Sequence, residues 1–250
     1  MHREARPGAG CTVLIPAYNE AATIRGVVEG ALAHAERVVV ISDGSTDGSV
    51  AALAGLPVEI VAHAHNRGKG WRLAEGFDHA FAAGAQAVLT LDADGQHDPD
   101  SIPDFLAAAG AAPGCLVIGD RSADRASIPR LRAKSVGFGD FFISWATGRR
   151  VRDAQCGMRL YPAALWQAIR MPPAERAHFI FETAILLRAA EAGVPFVRVP
   201  VQARYAGFVR RRSHFRPILD TLRIVRAVTG FLARRGFRPR GLLLALGLLR

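Results

Sequence analysis

Leu89-Thr-Leu-Asp-Ala-Asp-Gly-Gln-His-Asp-Pro99 decides how this chain is read. Val88 to Leu91 is an apolar run of strand character that leads straight into Asp92-Ala-Asp94 and a polar turn closed by Pro99. Two carboxylates one residue apart at a strand end can place oxygens on one hard divalent cation. Mg²⁺ or Mn²⁺ held by so few carboxylates keeps positions open for phosphate oxygens. The stretch therefore points to a metal–diphosphate site at the carboxyl edge of an open α/β sheet. A bare Asp-x-Asp also reads as a solvated acidic turn before a helix, so the rest of the chain has to decide.

Working outward, short apolar runs alternate with helical patterns. Cys11 to Ile15 is a strand stopped at Pro16, with Asn19 placed to cap the helix of Ile24, Val27, Val28, Ala31 and Leu32. Val38 to Ile41 is a second strand, uniformly apolar as parallel strands covered on both faces are. It runs into Asp43-Gly-Ser-Thr-Asp-Gly48 and a helix from Ser49 to Ala54, with Ser45, Thr46 and Asp47 read as caps. Val58 to Ala62 is a third strand; His65-Asn-Arg-Gly-Lys-Gly70 then opens a helix through Ala82, and Ala87 to Asp92 is the fourth. Pro99 to Ala109 reads as helix, Cys115 to Gly119 as strand and Ser127 to Thr147 as helix. Arg149 to Arg159 follows as a loop, and Pro162 to Ile169 and Phe179 to Ala192 as helices. Val194 to Val201 reads as strand, Arg204 to Pro217 as basic loop and Ile218 to Ala233 as amphipathic helix, with 236–250 a loosely ordered extension. The alternation predicts a doubly wound α/β layer. Three polar turns, at Pro16–Glu20, Asp43–Asp47 and Asp92–Asp98, fall on the edge where such sheets bind ligands.

Charge separates the chain into two parts. Residues 1–200 hold 20 Lys and Arg against 21 Asp and Glu, whereas 201–250 hold 12 Arg against Asp220 alone. A basic tail interleaved with Leu, Ile, Val and Phe suits an anionic membrane face or a phosphorylated substrate. No nucleic-acid recognition motif accompanies it, so nucleic acid is not an expected partner. Cys11, Cys115 and Cys156 are sparse and lack zinc spacing, which argues for a reducing compartment. The sequence shows no secretory signal and no stretch of the ~20 apolar residues that a membrane-spanning helix needs.

Taken in order, Pro16-Ala-Tyr-Asn-Glu20, Ser42-Asp-Gly-Ser-Thr-Asp-Gly48, Gly68-Lys-Gly70, Asp92-Ala-Asp-Gly-Gln-His-Asp-Pro99, Gly119-Asp-Arg121, Asp153-Ala-Gln-Cys-Gly-Met-Arg159 and Phe181-Glu182 resemble family 2 glycosyltransferases of the GT-A fold. The set is most similar to the dolichol-phosphate mannose synthase and polyprenyl-phosphate glycosyltransferase branch, over roughly residues 10 to 216. The resemblance implies a Rossmann-like fold with a mostly parallel central sheet and helices on both faces. The chain then divides into a flexible N-terminus (1–10), a GT-A domain (11–216) and, beyond the resemblance, a basic C-terminal helix and tail (217–250) whose composition suits peripheral membrane anchoring. The implied activity is inverting, metal-dependent sugar transfer from a nucleotide-diphosphate sugar (GDP-mannose or a UDP-hexose) to a polyprenyl phosphate or related lipid. It would take place in the cytoplasm, at the cytosolic membrane face.

The same resemblance implies roles residue by residue. Pro16, Ala17, Tyr18 and Glu20 line the base and ribose, and Asp43 accepts from the base. Asp43 also suits an Asx turn with Gly44. Lys69 faces a phosphate at a helix start. Asp92, Asp94 and Gln96 hold Mg²⁺ or Mn²⁺, while His97 reads as a turn residue. Arg121 faces the acceptor phosphate, and Arg210, Arg211, Arg212 and Ser213 belong to a basic loop that closes over the diphosphate, with Arg210 and Arg212 on the donor and Ser213 on the acceptor. That loop departs from the Gly-Glu-Ser-Lys form common in the branch. A lipid phosphate is already anionic and needs no base. A neutral hydroxyl acceptor, the alternative, needs one, with Asp153 first and Glu182 second as candidates. A non-catalytic nucleotide-sugar-binding protein is the reading from another class, and the intact Asp-x-Asp speaks against it.

Overall fold

Strands that are apolar at every position need cover on both sides, and this chain supplies it. A computed structural model of the protein describes residues 10–122, 130–177, 180–202 and 217–249. The loop with Arg210, Arg211, Arg212 and Ser213 lies outside the described residues, as does 1–9. Seven strands form one sheet: β1 (Cys11–Ala17), β2 (Arg37–Ser42), β3 (Glu59–Ala62), β4 (Ala87–Thr90), β5 (Leu116–Asp120), β6 (Arg159–Pro162) and β7 (Phe196–Pro200), in the order β3-β2-β1-β4-β6-β5-β7. All neighbours run parallel except β6, which is antiparallel to both β4 and β5.

Alternate residues of each strand serve opposite faces. Val13, Ile15, Val38, Val40 and Leu89 pack under α1 (Ile24–His34) and α3 (Ile102–Ala111). Leu14, Val39, Ile41 and Val88 pack under α2 (Lys69–Ala82) and α6 (Ile180–Glu191). Each such side chain, fully buried, contributes roughly 1.5–3 kcal/mol. Phe77 of α2 joins the second layer, its ring 4.8 Å from Tyr161, 4.9 Å from Trp166 and 5.8 Å from Phe181. Tyr161 lies on β6, Trp166 on α5 (Ala163–Ala168) and Phe181 on α6.

The strand order reverses at β1. From it the chain runs outward through β2 and β3, then returns to place β4 on the other side. Crevices at such a reversal are where open α/β sheets hold ligands. The turns after β1 and β4 flank this one. Because β6 is antiparallel, its start also lies at that edge, with Arg159 opposite both Thr90 and Ile118.

Several local expectations are corrected. Asn19 does not cap α1: its φ is +58°, and its Oδ1 accepts from Thr46 N at 2.8 Å. The helix expected over Ser49–Ala54 is a single 3₁₀ turn, Ala51–Leu53. Ser45, Thr46 and Asp47 tie the second turn to the first rather than capping a helix. Asn19 N donates to Ser45 Oγ at 3.1 Å, and Ala21 N to Asp47 Oδ2 at 3.0 Å. The end of the expected 149–159 loop and the start of the expected 162–169 helix form β6, which sequence alone did not reveal.

The C-terminal region is also more ordered than a loose extension. Its helix α8 (Pro239–Ala245) lies on α4 (Arg130–Thr147). Gly241 permits this approach, since a Cβ there would sit 2.4 Å from Trp145 O. Trp145 Nε1 donates to Phe237 O at 2.6 Å, and Arg238 donates to the carbonyls of Ala146 and Thr147. Helix α7 (Pro217–Arg234) buries Val228, Phe231 and Leu232 against Ala146 and Leu187.

Candidate active site

The first polar turn holds Pro16 and Ala17 at the end of β1, followed by Tyr18 and Glu20. The second turn fixes it in place, with Glu20 N donating to Ser49 Oγ at 2.7 Å. Asp43 follows β2 and is buried. Its carboxylate accepts from Arg67 N at 2.8 Å, Gly68 N at 2.7 Å and Arg72 Nε at 2.6 Å. Asp43 thus organises the glycine-rich turn after β3 and positions the start of α2.

Lys69, the first residue of α2, extends to the centre of the site. Its Nζ lies 2.7 Å from Asp92 Oδ1 and 2.7 Å from Glu182 Oε1. Burial opposes its charge, but Asp92 and Glu182 outweigh that and raise its pKa. Burial likewise opposes ionisation of Asp92, and Lys69, His97 and Arg121 overcome it to hold the carboxyl below the usual range. Asp94 goes the other way. Burial, then the charge on Asp92, raises its pKa, although Gln96 N donates to its Oδ1 at 3.0 Å.

Asp92 and Asp94 supply hard oxygen donors of the kind Mg²⁺ and Mn²⁺ prefer, and Gln96 follows on the same turn. The Lys69 ammonium on Asp92 shows that the position already attracts a cation. Gly157 leaves room for this carboxylate, because a Cβ there would lie 2.4 Å from Asp92 Oδ2. The residues therefore fit a divalent ion. Among the described residues no cluster of three or more His, Cys, Asp or Glu could hold one alone. An ion here would complete its coordination with oxygens from Gln96, water or a ligand.

Arg121, the residue after β5, forms a two-pronged pair with Asp153: Nε to Oδ2 at 2.7 Å and Nη2 to Oδ1 at 2.7 Å, with the Arg121 N–H also on Oδ2 at 2.9 Å. Asp153 has φ +51°, and its N–H donates to Asp140 Oδ2 at 3.0 Å. Burial opposes the Asp153 charge, but Arg121 outweighs it and lowers the pKa. A carboxyl depressed in the folded state stabilises above its ordinary pKa of 3.8, and that contribution is lost as pH falls through the lower folded value. Urea titrations should therefore find wild type more stable than Asp153→Asn at neutral pH. The gap should close as pH is lowered below about 4; a gap that stays constant would exclude the ion pair as its source.

His97 is buried beside Cys156, Nε2 to Sγ 3.5 Å. Burial lowers the imidazole to about 4 and pushes the thiol up to about 12. The thiol is therefore no nucleophile at neutral pH.

Sequence reasoning gave no role to three residues that build the site, although Arg159 closes one of the quoted motifs. Arg159 is fully buried and donates to the carbonyls of Cys156 at 2.8 Å, Glu182 at 2.8 Å and Ala154 at 2.6 Å. Arg72 braces Asp43, and Asp140 accepts from Asp153 N and Ala154 N. For Arg72 a signal existed: it shares the buried stripe of α2 with Leu73, Gly76 and Ala80, where a lone charge requires a partner.

A mostly parallel sheet, a reversal at β1 and an acidic pair in the crevice define the GT-A fold, and the chain belongs to glycosyl transferase family 2, whose model matches residues 12–163. It is 26% identical over 208 residues to polyprenol monophosphomannose synthase of Mycolicibacterium smegmatis, covering 78% of each chain. It is 27% identical over 199 residues to undecaprenyl-phosphate mannosyltransferase of Micrococcus luteus, covering 75% of this chain and 81% of that one. UDP-N-acetylglucosamine–dolichyl-phosphate N-acetylglucosaminyltransferase of Methanococcus voltae is 27% identical over 223 residues, with 80% and 88% covered. Among solved structures, glucosyl-3-phosphoglycerate synthase from Mycobacterium tuberculosis with Mn²⁺, UDP and phosphoglyceric acid superposes at a TM-score of 0.66. That match is 18% identical and covers 90% of this chain and 78% of the other; the likeness is one of fold.

Proposed function

We propose that the chain transfers a glycosyl group, with inversion, from a nucleotide-diphosphate sugar to a polyprenyl phosphate or closely related lipid phosphate. One observation carries the choice of acceptor. Both carboxylates suited to deprotonating a hydroxyl are held by cations, Asp153 by Arg121 and Glu182 by Lys69. A hydroxyl acceptor would need one of them as a base, whereas a lipid phosphate arrives with its nucleophilic oxygen already anionic. What such an acceptor needs is a positive group, and Arg121 stands fixed at the end of β5. Relatives named for polyprenol, undecaprenyl and dolichyl phosphates support the same class. Those names span mannosyl and N-acetylglucosaminyl transfer, in keeping with a GDP-mannose or UDP-hexose donor.

In this reading Asp92, Asp94 and Gln96 hold Mg²⁺ or Mn²⁺, which when bound offsets the charge that develops on the leaving diphosphate. Tyr18, Glu20 and Asp43 border the nucleoside, and Lys69 borders the phosphates. The test is a nucleotide-sugar panel against a polyprenyl phosphate and its dephosphorylated alcohol, read by mass spectrometry of the lipid. Product on the phosphate alone supports the reading. Product on the alcohol alone would replace it with the hydroxyl-acceptor reading.

The surface of α7, α8 and α4 fits a lipid acceptor. Leu222, Val225, Leu243, Leu246, Leu248 and Phe138 are exposed there among the arginines of the tail. No described helix is long and apolar enough to cross a membrane, so this surface would lie on the cytosolic leaflet without spanning it. Replacing Leu246 and Leu248 by Ser should weaken sedimentation with phosphatidylglycerol vesicles by about tenfold or more. Unchanged sedimentation would show that the face plays no part.

A further inference from the structure

Lys69 occupies the place where a metal would have to bind. Its ammonium is on Asp92 Oδ1, while Asp92 Oδ2 is turned against Gly157, whose missing Cβ would lie 2.4 Å away. A cation approaching Asp92 from the open side therefore meets Lys69 first. The way in is not sealed, since the Lys69 and Asp92 side chains are 25% and 24% exposed. Lys69 also has a second partner, Glu182 on α6, at the same 2.7 Å. Charge is consistent with an exchange. With Arg121 offset by Asp153, the three carboxylates Asp92, Asp94 and Glu182 still outnumber the two cations Lys69 and Arg159, and a divalent ion offsets the remaining negative charge.

We propose that Lys69 is a resident counter-cation of Asp92 that gives the carboxylate up to the incoming divalent metal and stays on Glu182. The inference rests on the metal reading of Asp92, Asp94 and Gln96 given above. Without metal, the ammonium keeps the acidic turn from being an uncompensated cluster of like charge. With metal, Glu182 prevents Lys69 from becoming an unpaired cation close to a divalent one. Lys69 and Glu182 thus act as positioning residues that set how readily the acidic pair accepts its ion. In the proposed exchange Glu182 acts through Lys69, because it is the side chain that competes with Asp92 for the ammonium.

The experiment measures Mn²⁺ binding by electron paramagnetic resonance, in the absence of any acceptor, on wild type, Lys69→Met, Glu182→Gln and the double variant. Thermal melting confirms that each is folded. Lys69→Met should bind Mn²⁺ about tenfold more tightly, because the competing charge is gone. Glu182→Gln should bind it several-fold more weakly, because Lys69 then has Asp92 alone. In the Lys69→Met background Glu182→Gln should change little, the signature of one residue acting through the other. Equal effects of Glu182→Gln in both backgrounds would mean simple long-range electrostatics and overturn the exchange. So would weaker binding by Lys69→Met. If wild type binds no Mn²⁺ with or without UDP, the metal reading itself fails, and the exchange fails with it.

Discussion

Asp94→Asn is expected to lower metal-dependent sugar transfer by about 10³-fold while leaving the fold intact. Asparagine keeps the shape of the side chain, and its oxygen can still accept from Gln96 N. What disappears is one of the two charges that would hold the metal. Burial and the neighbouring Asp92 charge raise the Asp94 pKa, so an ionised carboxylate there costs stability. The variant should therefore melt at or slightly above the wild-type temperature. Turnover and melting, measured on the same preparation with Mg²⁺ and with Mn²⁺, separate this account from a folding defect. Full turnover in Asp94→Asn would remove the acidic pair from the chemistry.

Arg159→Met should have the largest effect on stability, a loss of at least about 3 kcal/mol. Three carbonyl oxygens, of Ala154, Cys156 and Glu182, accept from this one guanidinium, and the first two lie in the loop before β6. Methionine fills much of the volume but donates nothing, and no water easily replaces three directed donors at a position with no exposed surface. The melting temperature should fall by on the order of 10 °C. The damage should centre on the 153–158 loop, which would show early amide exchange. If the variant melts within two or three degrees of wild type, the loop is held by something other than Arg159.

Much of this architecture was legible in the residues. Uniformly apolar runs such as Val38–Ile41 must be covered on both faces, and their alternation with helical patterns leaves few arrangements beyond a doubly wound sheet. Polar turns after successive strands then fall on one edge. The missed strand β6 is four residues long, opens on a charge and closes on proline, so only Leu160 and Tyr161 carry a pattern. The pairings at the site were not legible either. Lys69 and Glu182 are 113 positions apart, and Arg121 and Asp153 are 32 apart. Each charge could be named from its motif, but its partner depends on how the loop before β6 meets the ends of β4 and β5. That is why Asp153 reads from sequence as a candidate base and in the structure is the counter-ion of Arg121.

The antiparallel strand β6, set between β4 and β5, has a consequence for scale. With β6 wedged between them, β4 and β5 stand two strand spacings apart, about 9.5 Å. The acidic turn caps one of these strands and Arg121 the other, so β6 acts as a gauge block between an anode and a cathode. In the function proposed above, the leaving diphosphate would lie at the acidic turn and the acceptor phosphate at Arg121, one on each side of β6. Were β4 and β5 adjacent, the acidic turn and Arg121 would instead stand only about 4.8 Å apart.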